Sequence, residues 1–280
     1  KDDEMRASLV SLLAPVSSLE EVKLAIIQAK GIPILLDVVK KSQGTQTTHG
    51  SLIILSNLLV SSVNDLRPLF RKEHAFDIFL KVFIEYEELQ LFGLRLLALL
   101  GVEPLERRVL VRQGAIPKLC SMILSNDIHA CRLCVSMLSK IVESSESMEQ
   151  LGTADGISAL VTAVNLPDRS ITFKALSLLR MLCEHKRFVK PLSDSKILVP
   201  VMHLLKYKDP RLGIPSMSCL PFLISSEIHL KEVVHRGAFD CISEALGVTE
   251  STRVALVALV KICGLASFYL YTSNFVKSNI

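Results

Sequence analysis

The chain contains no Trp, its aromatic residues make up only 5% of 280 positions, and its basic and acidic side chains nearly cancel at 32 and 28. Each shortage excludes something. A net charge of +4 beside 50% hydrophobic residues rules out a disordered polyelectrolyte. It is also far below what bulk electrostatic binding to nucleic acid requires, so no nucleic-acid partner is expected. The 12 Gly are too few for a collagen repeat, and they form neither Gly-x-Gly-x-x-Gly nor Gly-Lys-Ser/Thr, the loops that cradle phosphates. Long apolar runs are missing as well. Mean hydropathy is high at +0.42, yet Leu52 to Leu55 is followed by Ser56 and Asn57, and Val254 to Val260 by Lys261. A membrane helix needs about 18 to 20 apolar residues, so no membrane insertion is expected and the excess hydropathy implies helices buried on more than one side. Strand-like alternation is absent throughout.

Seven Cys, at 120, 131, 134, 183, 219, 241 and 263, are an odd number, and most lie within apolar runs. They read as free thiols, small core hydrophobes in a reducing compartment. No window matches a secretory signal and no Asn-x-Ser/Thr acceptor occurs, so the expected location is the cytoplasm or nucleus. Three local patterns touch on chemistry. Cys131-x-x-Cys134 lacks the second pair that a four-ligand zinc site needs. Ser193-x-x-Lys196 spans a turn between helices, without the companion motifs of serine-lysine catalysis. Cys183 and His185 are close in sequence but do not face each other on a helix. The reading is structural in all three cases, with no enzyme activity, metal or cofactor expected.

What is present is a repeat. Lys30-Gly31-Ile32-Pro33, Glu73-His74-Ala75-Phe76, Gln113-Gly114-Ala115-Ile116-Pro117, Asp155-Gly156-Ile157, Ser195-Lys196-Ile197 and Arg236-Gly237-Ala238-Phe239 each precede an amphipathic stretch. Their apolar residues at 32, 76, 116, 157, 197 and 239 are 44, 40, 41, 40 and 42 apart, a period that accommodates two or three helices. The Gly residues suit the place where one helix ends, and Pro33 and Pro117 suit a first helical turn. One unit illustrates the order: a short helix over Leu105–Val111, a middle helix over Ile116–Leu124, then a long helix over Ile128–Val142 opened by the Ser125-Asn126-Asp127 break. In the fifth unit Pro215 and Pro221 fall inside the long helix and predict a kink or split.

This three-helix unit resembles the armadillo repeat, most closely in Gln113-Gly114-Ala115-Ile116-Pro117-Lys118-Leu119 and Leu55-Ser56-Asn57-Leu58-Leu59; the HEAT repeat is the main competitor. The resemblance covers essentially the whole chain. It implies an all-α, right-handed solenoid whose long third helices line a concave groove, since no single repeat buries its own apolar face. Residues 1–280 are then one array of about six repeats with a partial repeat at each end, Ala7 to Ala14 being the third helix of a preceding unit. The ends lack polar capping helices, which predicts a segment of a longer array.

Peptide-binding members of that family project a Trp and, four residues later, an Asn from each third helix. Here the Asn positions read Asn57, Leu99, Lys140, Met181, Phe222 and Lys261, and the Trp positions Ile53, Arg95, Ser136, Ser177, Ser218 and Val257. Recognition of a basic peptide through that ladder is therefore not expected. Arg95, Arg132, Lys140, Arg211, Arg253 and Lys261 fall near the groove, with Glu88 and Glu250 as counter-charges, while Leu99, Met181 and Phe222 offer apolar anchors. The expectation is a non-enzymatic protein-interaction scaffold, its partner an acidic or phosphorylated protein segment. The alternative is a regulatory, autoinhibitory domain of a larger protein that carries an enzyme elsewhere.

Overall fold

Apolar residues spaced three and four apart between short polar breaks dictate one helix after another. The computed structural model describes residues 2–41, 46–60, 65–125, 127–206, 209–246 and 251–278. Helix accounts for 84% of the described residues, with no strand among them. The chain divides into two compact units, Lys1–Ala115 and Ile116–Ile280.

The first unit holds α1 (Asp2–Val16), α2 (Glu20–Gln28), α3 (Gly31–Lys41), α4 (Gln46–Leu59), α5 (Arg67–Lys72), α6 (Ala75–Glu85), a 3-10 turn (Glu87–Leu89), α7 (Gln90–Leu100) and α8 (Pro104–Arg112). Here α1, α4 and α7 pack side by side as one layer, and α3 and α6 form a second. The N-terminal helix α1 seats against α4. Leu52, Ile54, Leu55 and Leu58 of α4, Leu94, Leu96 and Leu97 of α7, and Phe79 and Phe83 of α6 are fully or almost fully buried. Each such side chain contributes about 1.5 to 3 kcal/mol relative to exposure. Close approach of α6 and α7 depends on Gly93, where an added Cβ would lie 2.6 Å from the backbone nitrogen of Phe83. Arg71 then ties α5 to the start of α8, pairing with Glu103 at 3.2 Å and with Glu106, and donating to the Gly101 carbonyl at 2.6 Å.

In the second unit α9 (Ala115–Leu124) and α10 (Ile128–Ile141) are followed by three complete triplets. These are α11 (Ser145–Leu151), α12 (Ala154–Asn165) and α13 (Arg169–Cys183); α14 (Lys186–Asp194), α15 (Leu198–Leu205) and α16 (Pro210–Leu223); and α17 (Glu227–His235), α18 (Ala238–Ala245) and α19 (Thr252–Ser278). The long helices α10, α13, α16 and α19 pack each on the next, as do the middle helices α12, α15 and α18. Asp127, Asp168 and Asp209 open α10, α13 and α16, their carboxylates accepting from backbone N–H groups of the first turn. Asn126 lies outside the described residues. Arg187 of α14 reaches back to Glu149 of α11 and also covers the Phe188 ring at 4.6 Å.

Several expectations are corrected. The left-handed residue before the middle helix is Gly114 and Gly237 in two repeats, but it is Lys30, His74 and Lys196 in three others. Gly31 is instead the first residue of α3, where a Cβ would meet the Ile26 side chain at 2.8 Å. Gly156 is likewise helical: α12 starts two residues earlier, capped by Thr153, and Gly156 admits the Leu151 carbonyl, 2.0 Å from an added Cβ. Despite Pro215 and Pro221, α16 is not split. Burial holds it, because Leu212, Met217, Leu220 and Leu223 are all inside, and packing of an apolar face outweighs a missing backbone bond. All seven Cys are free, but Cys263 is exposed rather than core.

Candidate functional site

The third helices present the residues that face away from the middle helices. In the first unit Asn57 of α4 is half-buried and donates from Nδ2 to Ser17 Oγ at 2.8 Å. It braces neighbouring repeats rather than projecting a free amide. Arg95 is exposed and Leu99 half-buried, one turn apart on α7. Glu88 is exposed on the preceding 3-10 turn, and Glu250 lies outside the described residues. A cleft of about 560 Å³ opens between α1 and α4, lined by Ala7, Ser11, Ala14, Thr47, His49 and Ile53 among others.

The second unit sorts its charge by helix. On α10 lie Arg132 and Lys140, on α13 Arg169, Lys174 and Arg180, on α16 Arg211, and on α19 Arg253, Lys261 and Lys277. None of these helices, of 14, 15, 14 and 27 residues, contains Asp or Glu, although 28 of 280 residues in the chain are acidic. Carboxylates sit at the helix starts instead, and two of them reach basic residues of the preceding repeat. Arg132 donates to Asp168, and Arg169 lies 3.7 Å from Asp209. That Arg132 hydrogen bond, with backbone N–H groups adding to it, holds the Asp168 carboxyl below its ordinary value.

Of the residues singled out from sequence, Lys140, Arg211 and Arg253 are exposed and Met181 half-buried. Phe222 is half-buried beneath Lys261, whose ammonium stands 4.2 Å from the ring centroid, a cation–π contact between α16 and α19. Arg132 is also exposed but engaged by Asp168. Sequence reading missed Lys174, whose ammonium donates to Ser136 Oγ at 2.9 Å across the α10–α13 seam. It missed Asp168 and Asp209 as counter-charges too. The regular interval of 41 residues from Asp127 to Asp168 and from Asp168 to Asp209 was the available signal.

The patterns weighed for chemistry are packed away. Cys131 and Cys134 are fully buried and Cys131 Sγ donates to the Ile123 carbonyl at 3.3 Å; burial raises both thiol pKa values. Ser193 Oγ lies 3.1 Å from His229 Nδ1 and bonds Ser225, but Ser193 is only 3% exposed, inside the α14–α17 junction. Among the described residues no group of three or more His, Cys, Asp or Glu is placed to hold a metal, and no helix is long and apolar enough to cross a membrane.

Comparison with solved structures bears on the fold. An engineered protein superposes with a TM-score of 0.63 at 19% identity, over 90% of this chain and 63% of its own length. Computationally designed armadillo repeat proteins for modular peptide recognition superpose at 0.63 and 16% identity, over 82% of this chain and 99% of theirs. The chain has an armadillo-like repeat fold. A designed armadillo repeat protein solved with the peptide (KR)4 has the same arrangement at a TM-score of 0.59, 16% identity, and 82% and 99% coverage. These likenesses concern the fold. No protein-family model matches the chain, and no curated protein does.

Proposed function

We propose that the chain is a non-enzymatic scaffold that binds an acidic or phosphorylated segment of a protein partner along the third-helix face of its second unit. One observation carries this reading: α10, α13, α16 and α19 carry basic side chains and no carboxylate. A surface charged in this way attracts anionic segments and repels cationic ones. A designed armadillo protein is in complex with a (KR)4 peptide, so a fold of this kind accepts a peptide, but that ligand has the wrong charge for these four helices. Lys140, Arg211, Arg253 and Lys261 orient the segment, and Met181 and Phe222 supply apolar contact. In the first unit Arg95 and Leu99 have the corresponding exposure on α7. Seven free Cys accord with a cytoplasmic or nuclear location.

The test compares degenerate peptide pools of acidic, neutral and basic composition by fluorescence anisotropy on the full chain. The acidic pool should bind best, with affinity that falls as salt screens the charges. Converting Lys140, Arg211 and Lys261 together to Glu should weaken it by more than about tenfold, because like charge then faces like charge. Unchanged affinity in that variant, or equal binding of the basic pool, would overturn the proposal.

A further inference from the structure

The seam between α10 and α13 holds two cations that face no carboxylate. Lys174 is half-buried, and its ammonium reaches back from α13 to Ser136 Oγ of α10 at 2.9 Å. Lys140 stands one turn beyond Ser136 on the same helix and is exposed. Among the described residues neither ammonium is paired with Asp or Glu. The neighbouring cations differ: Arg132 has Asp168, Arg169 has Asp209, Arg180 has Glu184 at 3.6 Å, and Lys261 has the Phe222 ring.

A partly desolvated ammonium bonded to a neutral hydroxyl is less stable than one bonded to an anion. Because Ser136 Oγ accepts from Lys174, its own O–H is left to donate to a further acceptor. The equivalent hydroxyls have spent theirs, Ser177 on the Phe173 carbonyl at 2.9 Å and Ser218 on the Pro215 carbonyl at 2.8 Å. Residues i and i+4 of a helix have Cβ atoms about 5 to 6 Å apart, so the long, exposed Lys140 side chain is within reach of the space beside the Ser136 hydroxyl. Two positive charges and one hydroxyl can therefore converge on one anion at this seam.

We infer that Ser136, Lys140 and Lys174 form a subsite for a phosphorylated side chain, which rests on the reading that an anionic partner segment lies on this face. A phosphoryl group carries about −1.5 to −2 charge and three strong acceptor oxygens, matching two ammonium groups and a hydroxyl. A carboxylate, with a single charge, leaves one ammonium uncompensated. The subsite fixes the register of the segment: its modified residue lies over the α10–α13 seam, with the basic residues of α16 and α19 along the remainder.

Three degenerate peptide pools, identical except for a central phosphoserine, glutamate or serine within a mildly acidic background, test this on the full chain by fluorescence anisotropy. The phosphoserine pool should bind at least about tenfold more tightly than the glutamate pool. Lys174→Met, which keeps the apolar stem, should abolish that preference while changing affinity for the glutamate pool by less than about threefold. Ser136→Ala should reduce the preference, which provides a second reading independent of how Lys174→Met folds, and Lys81→Ala, at an exposed position of α6 in the first unit, should leave it intact. If the glutamate and phosphoserine pools bind wild type equally, or if both seam variants keep the preference, the subsite is refuted while the acidic-segment reading stands. If no pool binds, both fail together.

Discussion

Replacing Asp168 by Ala removes two supports from α13 at once. The carboxylate accepts from Ser170 N at 2.9 Å and Ile171 N at 3.0 Å, and it holds Arg132 of the preceding repeat. Loss of such a cap costs about 0.5 to 2 kcal/mol. The ion pair adds about 0.2 to 1 kcal/mol, toward the lower figure because the Arg132 side chain is 53% exposed. Asp168→Ala should therefore lower the unfolding free energy by about 1.5 kcal/mol. Asp168→Asn keeps a good cap but loses the charge, and should cost about 0.5 kcal/mol, as should Arg132→Ala. Urea denaturation of the full chain followed by circular dichroism, arranged as a double-mutant cycle, reads these differences. The pH dependence has a definite sign. The folded-state pKa of Asp168 is depressed by Arg132 from an ordinary value of 3.8. Its contribution is complete above the unfolded-state value and is lost as pH falls through the lower folded-state value. The Asn deficit seen at neutral pH should thus fade as the pH falls below the ordinary value of 3.8 and through the lower folded-state value. Equal losses in the Ala and Asn variants would refute the capping argument, and a deficit unchanged in acid would refute the electrostatic one.

His74 adopts φ 54°, and His74→Gly should raise stability by about 1 kcal/mol by relieving a left-handed backbone; an unchanged or lower melting temperature would contradict this. Gly93→Ala, whose Cβ would meet the Phe83 backbone at 2.6 Å, should cost about 1 to 3 kcal/mol in the same denaturation assay. In a native thiol titration Cys263 should react first and Cys241 more slowly, while Cys120, pushed up to about 12 by burial, should react only on unfolding. Denatured under non-reducing conditions, the chain should release seven thiols, and fewer would reveal a disulfide.

The helices were legible because their signals are local. Leu105–Val111, Ile116–Leu124 and Ile128–Val142 differ from α8, α9 and α10 by at most two residues at an end, since apolar spacing and an Asp cap lie within one segment. Turn chemistry was less legible. Gly31 and Gly156 look like turn residues, yet each is helical and is needed for close packing, while Lys30, His74 and Lys196 take the left-handed position without any compositional sign. Of the kink or split that the prolines predict in α16, the split does not occur, because burial of the helix outweighs the local rule. At the candidate face, the exposure of Lys140, Arg211 and Arg253 followed from periodicity. The pairing of Arg132 with Asp168, and of Lys174 with Ser136, joins residues 36 and 38 positions apart. Only the stacking of repeats brings them together, so a reading confined to one helix could not separate engaged cations from unpaired ones.

The most direct test of the account is a photo-cross-linking map of the full chain with an acidic peptide pool carrying a diazirine residue. The adducts should fall on α10, α13, α16 and α19, concentrate near Lys140, Lys174 and Lys261, and diminish as salt is raised. Adducts concentrated instead on the middle helices α12, α15 and α18, or labelling indifferent to salt, would contradict the claim that charge sorting on the third helices selects the partner.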